Sequence, residues 1–238
     1  MVRTNAISRR RQPSHRKRPK IQNMPGPAFN HAVRLIHAVC GLAGSPTLID
    51  EIRAEPRADK VTTAIRKHDT GPVFDSLMAA LSYQGISNNV AYEYMEKHGR
   101  ARWVLAMALS CISLGAPKKM SLWTEVGGSM IAIDTLVHNF LHRTGILHRF
   151  DANHVYGLAC YRLGGCADII QAVAEQIDAR QFNASFPKVF PRFVQHAIWR
   201  YCSLSGLDIC NGNRIDDSCR CENKDCRVRL MCDRDALR

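Results

Sequence analysis

The stretch MIAIDTLVHNFLHRTG, residues 130–145, decides how the chain is read. Ile133, Val137, Phe140 and Leu141 recur at the spacing of one helix face, and Gly145 is a natural stop. The spacing predicts a helix from Met130 to about Gly145. An acid, Asp134, stands early in this apolar run, where it must face a cleft, a helix N-terminus or a partner. His138 and His142 are four residues apart and could share a metal, but the spacing places no third ligand. With His148 they read as surface or phosphate-facing groups.

The same periodicity recurs on both sides, and strand signals are scarce. A helix from Phe29 carries Val33, Leu35, Ile36, Val39 and Leu42. Shorter helices are expected over 46–54 and 58–68. After Pro72, the residues Val73, Phe74, Leu77, Met78 and Leu81 form one buried face. Ser87 caps a helix that Gly99 closes, and 101–111 is strongly apolar. A helix over 118–126 is expected to break at Gly127 and Gly128. Two more follow, over 168–178 and 191–201. The pattern is all-α, with a helical domain over 28–201 and no internal repeat.

Charge is concentrated at the start. Of a net +12, eight charges come from Arg3, Arg9, Arg10, Arg11, Arg16, Lys17, Arg18 and Lys20, with no acid among them. A polar segment of this kind cannot bury enough surface to offset its ordering entropy. Residues 1–27 are therefore expected to be a disordered basic arm. Such an arm can lie along phosphates, aid solubility or serve as an organelle-targeting segment. No run approaches the ~18–20 apolar residues of a membrane span. The expectation is a cytoplasmic, nucleoid-associated protein with no membrane partner, acting as a monomer.

The last segment, 202–238, has a different character. Cys202, Cys210, Cys219, Cys221, Cys226 and Cys232 fall there with few apolar residues. A segment with so little core needs a metal to supply folding energy. Four thiolates suit either zinc or a [4Fe–4S] cluster. Arg214, Arg220, Lys224, Arg227, Arg229 and Arg234 surround them and could meet a phosphate backbone. Cys160 and Cys166 read as separate core or loop thiols.

Three blocks together resemble the iron–sulfur helix-hairpin-helix DNA glycosylases of the endonuclease III and adenine-mismatch type. Residues 74–87, FDSLMAALSYQGIS, are similar to the family's F-x-x-L-[IM]-x-x-[LM]-L-S-x-Q-x-[ST] helix end. Residues 131–135 and 138–145 resemble its I-A-V-D-T…R segment. The tail is similar to its C-x6-C-x2-C-x5-C pattern, with Cys226 and Cys232 keeping the last interval and Cys221 to Cys226 two residues longer. The family's L-P-G-[VI]-G hairpin survives only in pieces over 114–121, and the span before it is some thirty residues shorter than the family's.

The resemblance implies a two-lobed helical bundle with a C-terminal cysteine-rich metal loop, and base excision from double-stranded DNA. It places Asp134 on the family's catalytic aspartate. It puts Gln84, beside Ser82 and Tyr83, in the gap left by a flipped nucleotide. Lys118 and Lys119 are the candidate Schiff-base nucleophiles of a lyase step. His138, Arg143, Arg227 and Arg229 are the further candidate DNA contacts. Cys210, Cys221, Cys226 and Cys232, with Cys219 able to replace Cys221, are the candidate ligands of a [4Fe–4S] cluster, zinc being the alternative. A second reading is a non-catalytic DNA-binding or regulatory protein that keeps the scaffold and the metal-stabilised tail.

Overall fold

The computed structural model describes residues 26–54, 110, 113–115, 121–210 and 215–237. In chain order the described helices are α1 (Gly26–Ala43), α2 (Leu48–Ala54), α3 (Ser121–Ser129), α4 (Thr135–Arg143), α5 (Ile146–Arg149), α6 (Cys166–Ala174) and α7 (Pro191–Cys202). Short 3-10 turns span Leu158–Tyr161, Ala179–Gln181 and Arg229–Met231. The described residues contain no strand, so this part of the chain is all-α.

Helix α1 buries Ala32, Leu35, Ile36, Val39, Cys40 and Ala43, a continuous i, i+3, i+4, i+7 stripe. It begins at Gly26, three residues before the helix read from Phe29, so Gly26 and Pro27 belong to the helix rather than to the basic arm. The rest of that arm, residues 1–25, lies outside the described residues. Among the described residues no single helix is long and apolar enough to cross a membrane.

Helix α7 is the axis of the core. Pro191 opens it at a position where no backbone donor is needed. Its Phe193, Val194, Ala197, Ile198, Tyr201 and Cys202 are buried. They meet α1, α3, α4 and α6. Phe186 and Phe190 close one end, with ring centroids 5.1 Å apart and nearly perpendicular.

Two expectations are corrected here. Gly127 and Gly128 do not break α3, which continues to Ser129. They are the close-contact face of that helix. A Cβ on Gly127 would stand 2.7 Å from the Ser113 side chain and 2.9 Å from the Leu114 nitrogen, and one on Gly128 would meet the Phe190 ring. The helix read from Met130 begins instead at Thr135. Residues 130–133 run non-helical and buried into the core, and Asp134 supplies the cap that starts α4.

The tail folds onto the α4–α5 corner. Asp235 donates its amide to the Arg143 carbonyl at 2.9 Å, and Cys221 donates to Arg234 at 3.0 Å. The corner depends on Gly145, whose φ of +76° is a left-handed value. A Cβ there would overlap the Asp233 carboxylate. That carboxylate accepts two bonds from Arg149, at 3.0 and 2.6 Å. Gly145→Ala therefore combines backbone strain with displacement of the tail. It is expected to lower unfolding free energy by roughly 1–3 kcal/mol, read as a lower urea midpoint, whereas Gly26→Ala, with open space around it, should have little effect.

Candidate functional site

Asp134 stands where the buried 130–133 segment turns into α4. Its backbone is extended and its Oδ1 accepts the Val137 amide at 2.9 Å, satisfying one of the orphan donors of the first turn. The preceding residue is clamped as well. Ile133 donates its amide to the Tyr161 hydroxyl at 2.8 Å, and its carbonyl lies 3.4 Å from the hydroxyls of both Tyr156 and Tyr161. Burial pushes the Asp134 carboxyl above the usual carboxylate range. The amides of the helix start and the Arg192 guanidinium pull the other way. The result is a desolvated acid at a helix N-terminus with a cation nearby.

At the opposite end of α4 the tail cysteines meet. Cys210, Cys221, Cys226 and Cys232 line one cavity, together with Phe140, Arg143 and Tyr201. The Tyr201 hydroxyl is 3.2 Å from Cys226 Sγ, and the Cys232 thiol lies 3.6 Å from the Arg143 carbonyl. A hydrogen bond from the buried Cys202 thiol and the Arg143 charge favour the thiolate of Cys210. Cys219 is exposed, lies outside this cavity and faces Asp216. Every described cysteine is a free thiol.

A second group assembles beside Asp134. His138 from α4, His154 from the following loop, Cys160 from the Leu158–Tyr161 turn and Cys166 at the start of α6 bring one ligand atom each to within 4.8 Å of one another. This group can hold a metal ion. His138 Nδ1 is 3.4 Å from Cys166 Sγ and 3.5 Å from Cys160 Sγ, and His154 Nε2 is 3.3 Å from Cys166 Sγ. Contact between the two sulfurs favours the thiolate of Cys160 and disfavours that of Cys166. Gly164, at φ +80°, and Gly165 make the return possible. A Cβ on Gly165 would stand 2.3 Å from the Ala159 carbonyl oxygen.

The candidate DNA contacts are distributed differently from their reading in the sequence. His138 is buried in the cysteine–histidine group rather than turned toward a phosphate. Arg143 is 2% exposed and donates to Asp217 Oδ1 at 3.1 Å and to the Asp235 carbonyl at 3.4 Å. Its charge is spent inside the protein. Arg227 is exposed, and Arg229 is half-buried, donating to the Glu222 and Asn223 carbonyls. Gln84, Ser82, Tyr83, Lys118 and Lys119 lie outside the described residues.

Reading the sequence misses His154 and takes Cys160 and Cys166 for core or loop thiols. The signal was a regular spacing, His154, Cys160 and Cys166 at six-residue steps with Gly164 and Gly165 before the last. The third ligand for His138 comes from that loop and not from His142, whose ring centroid is 6.4 Å away. No protein-family model, curated protein or solved structure matches the chain.

The cap and the acid can be separated experimentally. Asp134→Ala is expected to lose about 1 kcal/mol of stability through the missing cap, whereas Asp134→Asn, an equally good cap, should stay within a few tenths. Chemical denaturation of both variants checks this.

Proposed function

We propose that this protein is a helical DNA glycosylase of the iron–sulfur kind, which excises a damaged or mismatched base from duplex DNA. The observation that carries the reading is the organisation of α4. The same nine-residue helix has a largely buried aspartate capping its N-terminus and, at its C-terminus, docks a tail of which four cysteines line one cavity.

The tail residues fit a cluster by their donor set. Four thiols converge, and three of them, Cys221, Cys226 and Cys232, lie near enough for their charges to interact with one another or with Cys210. Four thiols suit a [4Fe–4S] cluster or a single zinc, and the resemblance of the cysteine spacing to the iron–sulfur glycosylases favours the cluster. Such a cluster would supply folding energy to a segment with almost no core.

The chemistry belongs to the protein. Breaking an N-glycosidic bond develops positive charge on the sugar, and a carboxylate beside the ring stabilises it or draws a proton from attacking water. Asp134 is the candidate for this role. Lys118 or Lys119 would add a lyase step, and Gln84, with Ser82 and Tyr83, would fill the vacated base position. Exposed Arg220, Lys224 and Arg227 offer the tail surface to phosphates.

The test is base release from a panel of damaged and mismatched duplexes at enzyme excess. The wild-type chain should release a base from at least one duplex, and Asp134→Asn should be slower by at least about 100-fold with DNA affinity unchanged. Because Asp134 must be ionised and burial raises its pKa, the rate should rise with pH through a value above the ordinary carboxylate range. Release that is absent throughout, or equal in the variant, contradicts the reading.

The capping bond of Asp134 favours a second reading, a DNA-binding protein in which this acid is structural. It requires salt-dependent DNA binding with no Asp134-dependent chemistry.

A further inference from the structure

We propose that His138, His154, Cys160 and Cys166 form a mononuclear zinc(II) site that pins the segment carrying Tyr156 and Tyr161 onto α4, and so fixes the backbone that positions Asp134. This site is separate from the tail cysteines, and the zinc assignment does not depend on the glycosylase reading.

The distances carry the identity. Zinc bonds of about 2.3 Å to sulfur and about 2.0–2.1 Å to nitrogen, in a tetrahedron, put nitrogen and sulfur about 3.6 Å apart. The three nitrogen–sulfur separations are 3.3, 3.4 and 3.5 Å. With all four ligand atoms within 4.8 Å of one another, one ion fits at their centre. A binuclear iron site with the same ligand types would divide them between two metals. Two thiolates and two imidazoles also match the preference of zinc for mixed sulfur and nitrogen ligands. Two thiolate charges neutralise the dication, which allows the centre to be buried. Zinc takes both sulfurs as thiolates, so binding would release the Cys166 proton to solvent.

An independent feature prepares one ligand. His154 Nδ1 is 2.6 Å from the Ala152 carbonyl oxygen, so Nδ1 carries the proton and Nε2 presents its lone pair to the sulfurs. This is how a backbone carbonyl orients a metal-binding imidazole. His138, Cys160 and Cys166 are buried and His154 is half-buried, so four protein ligands close the site. A closed site of this kind is structural.

The consequence reaches Asp134 through short links. His154 and Cys160 bracket Tyr156, and Cys160 adjoins Tyr161. Both tyrosines hold Ile133, the neighbour of Asp134. His138 lies one turn into the helix that Asp134 caps. A metal joining these elements ties the loop, α4 and α6 at one point.

Zinc K-edge absorption spectroscopy on the full wild-type chain, with zinc analysis, tests the site. The technique sees zinc alone, whatever iron is present. The expected result is about one zinc per chain with two sulfur and two nitrogen neighbours, falling at least tenfold in His154→Asn. Absence of zinc, a zinc bound by four sulfurs, or an unchanged zinc content in His154→Asn overturns the proposal. The wild-type spectrum decides even where the variant fails to fold. Chelation of the wild-type chain should speed amide exchange at Ile133 by at least about tenfold; unchanged exchange overturns the positioning role.

Discussion

A buried guanidinium organises the C-terminal part of the molecule. Arg143 sits in the last turn of α4, where the helix dipole favours a cation, yet its side chain is almost fully shielded from water. A charge in that place must be paired and hydrogen-bonded, because leaving it alone would cost several kcal/mol. Both partners, the Asp217 carboxylate and the Asp235 carbonyl, come from the tail. The tail must therefore return to the end of α4, and that return brings Cys210, Cys221, Cys226 and Cys232 to one cavity. The Asp233–Arg149 pair and the left-handed Gly145 fix the angle at which it arrives.

The other end of α4 is held by a different device. Its start is set by a carboxylate cap and by two tyrosines that grip the preceding peptide. The tyrosines belong to a segment with little regular structure, so something must hold that segment in turn. The cysteine–histidine group is well placed to do so, since its four members come from α4, the loop, the 3-10 turn and α6. One helix thus connects two thiol-rich centres with an acid whose burial disfavours its charge.

Much of this architecture was legible in the sequence. The apolar stripes of α1 and α7 are regular enough to be read directly, and Pro191 marks the start of α7. The six tail cysteines stood out because the residues between them could not form a core, and the family resemblance narrowed them to four. Other features depended on tertiary contacts. Gly127 and Gly128 look like a helix break until Ser113, Leu114 and Phe190 are seen against them. Residues 130–133 are apolar enough for a helix, but Asp134 starts the turn four residues later. The cysteine–histidine group was hidden because His138 lies sixteen residues before His154, and only the fold of the loop makes them neighbours. Arg143 and His138 looked like phosphate contacts because sequence does not reveal that the tail covers the first and the 154–166 segment the second.

The claim on which the functional account rests most heavily is that the tail cysteines hold an iron–sulfur cluster. The visible absorption spectrum of anaerobically purified protein, with iron analysis, tests it most directly. The expected result is a brown protein with a broad band near ~400 nm and about four irons per chain, both lost in Cys226→Ser. A colourless, iron-free chain that is nevertheless folded would contradict it.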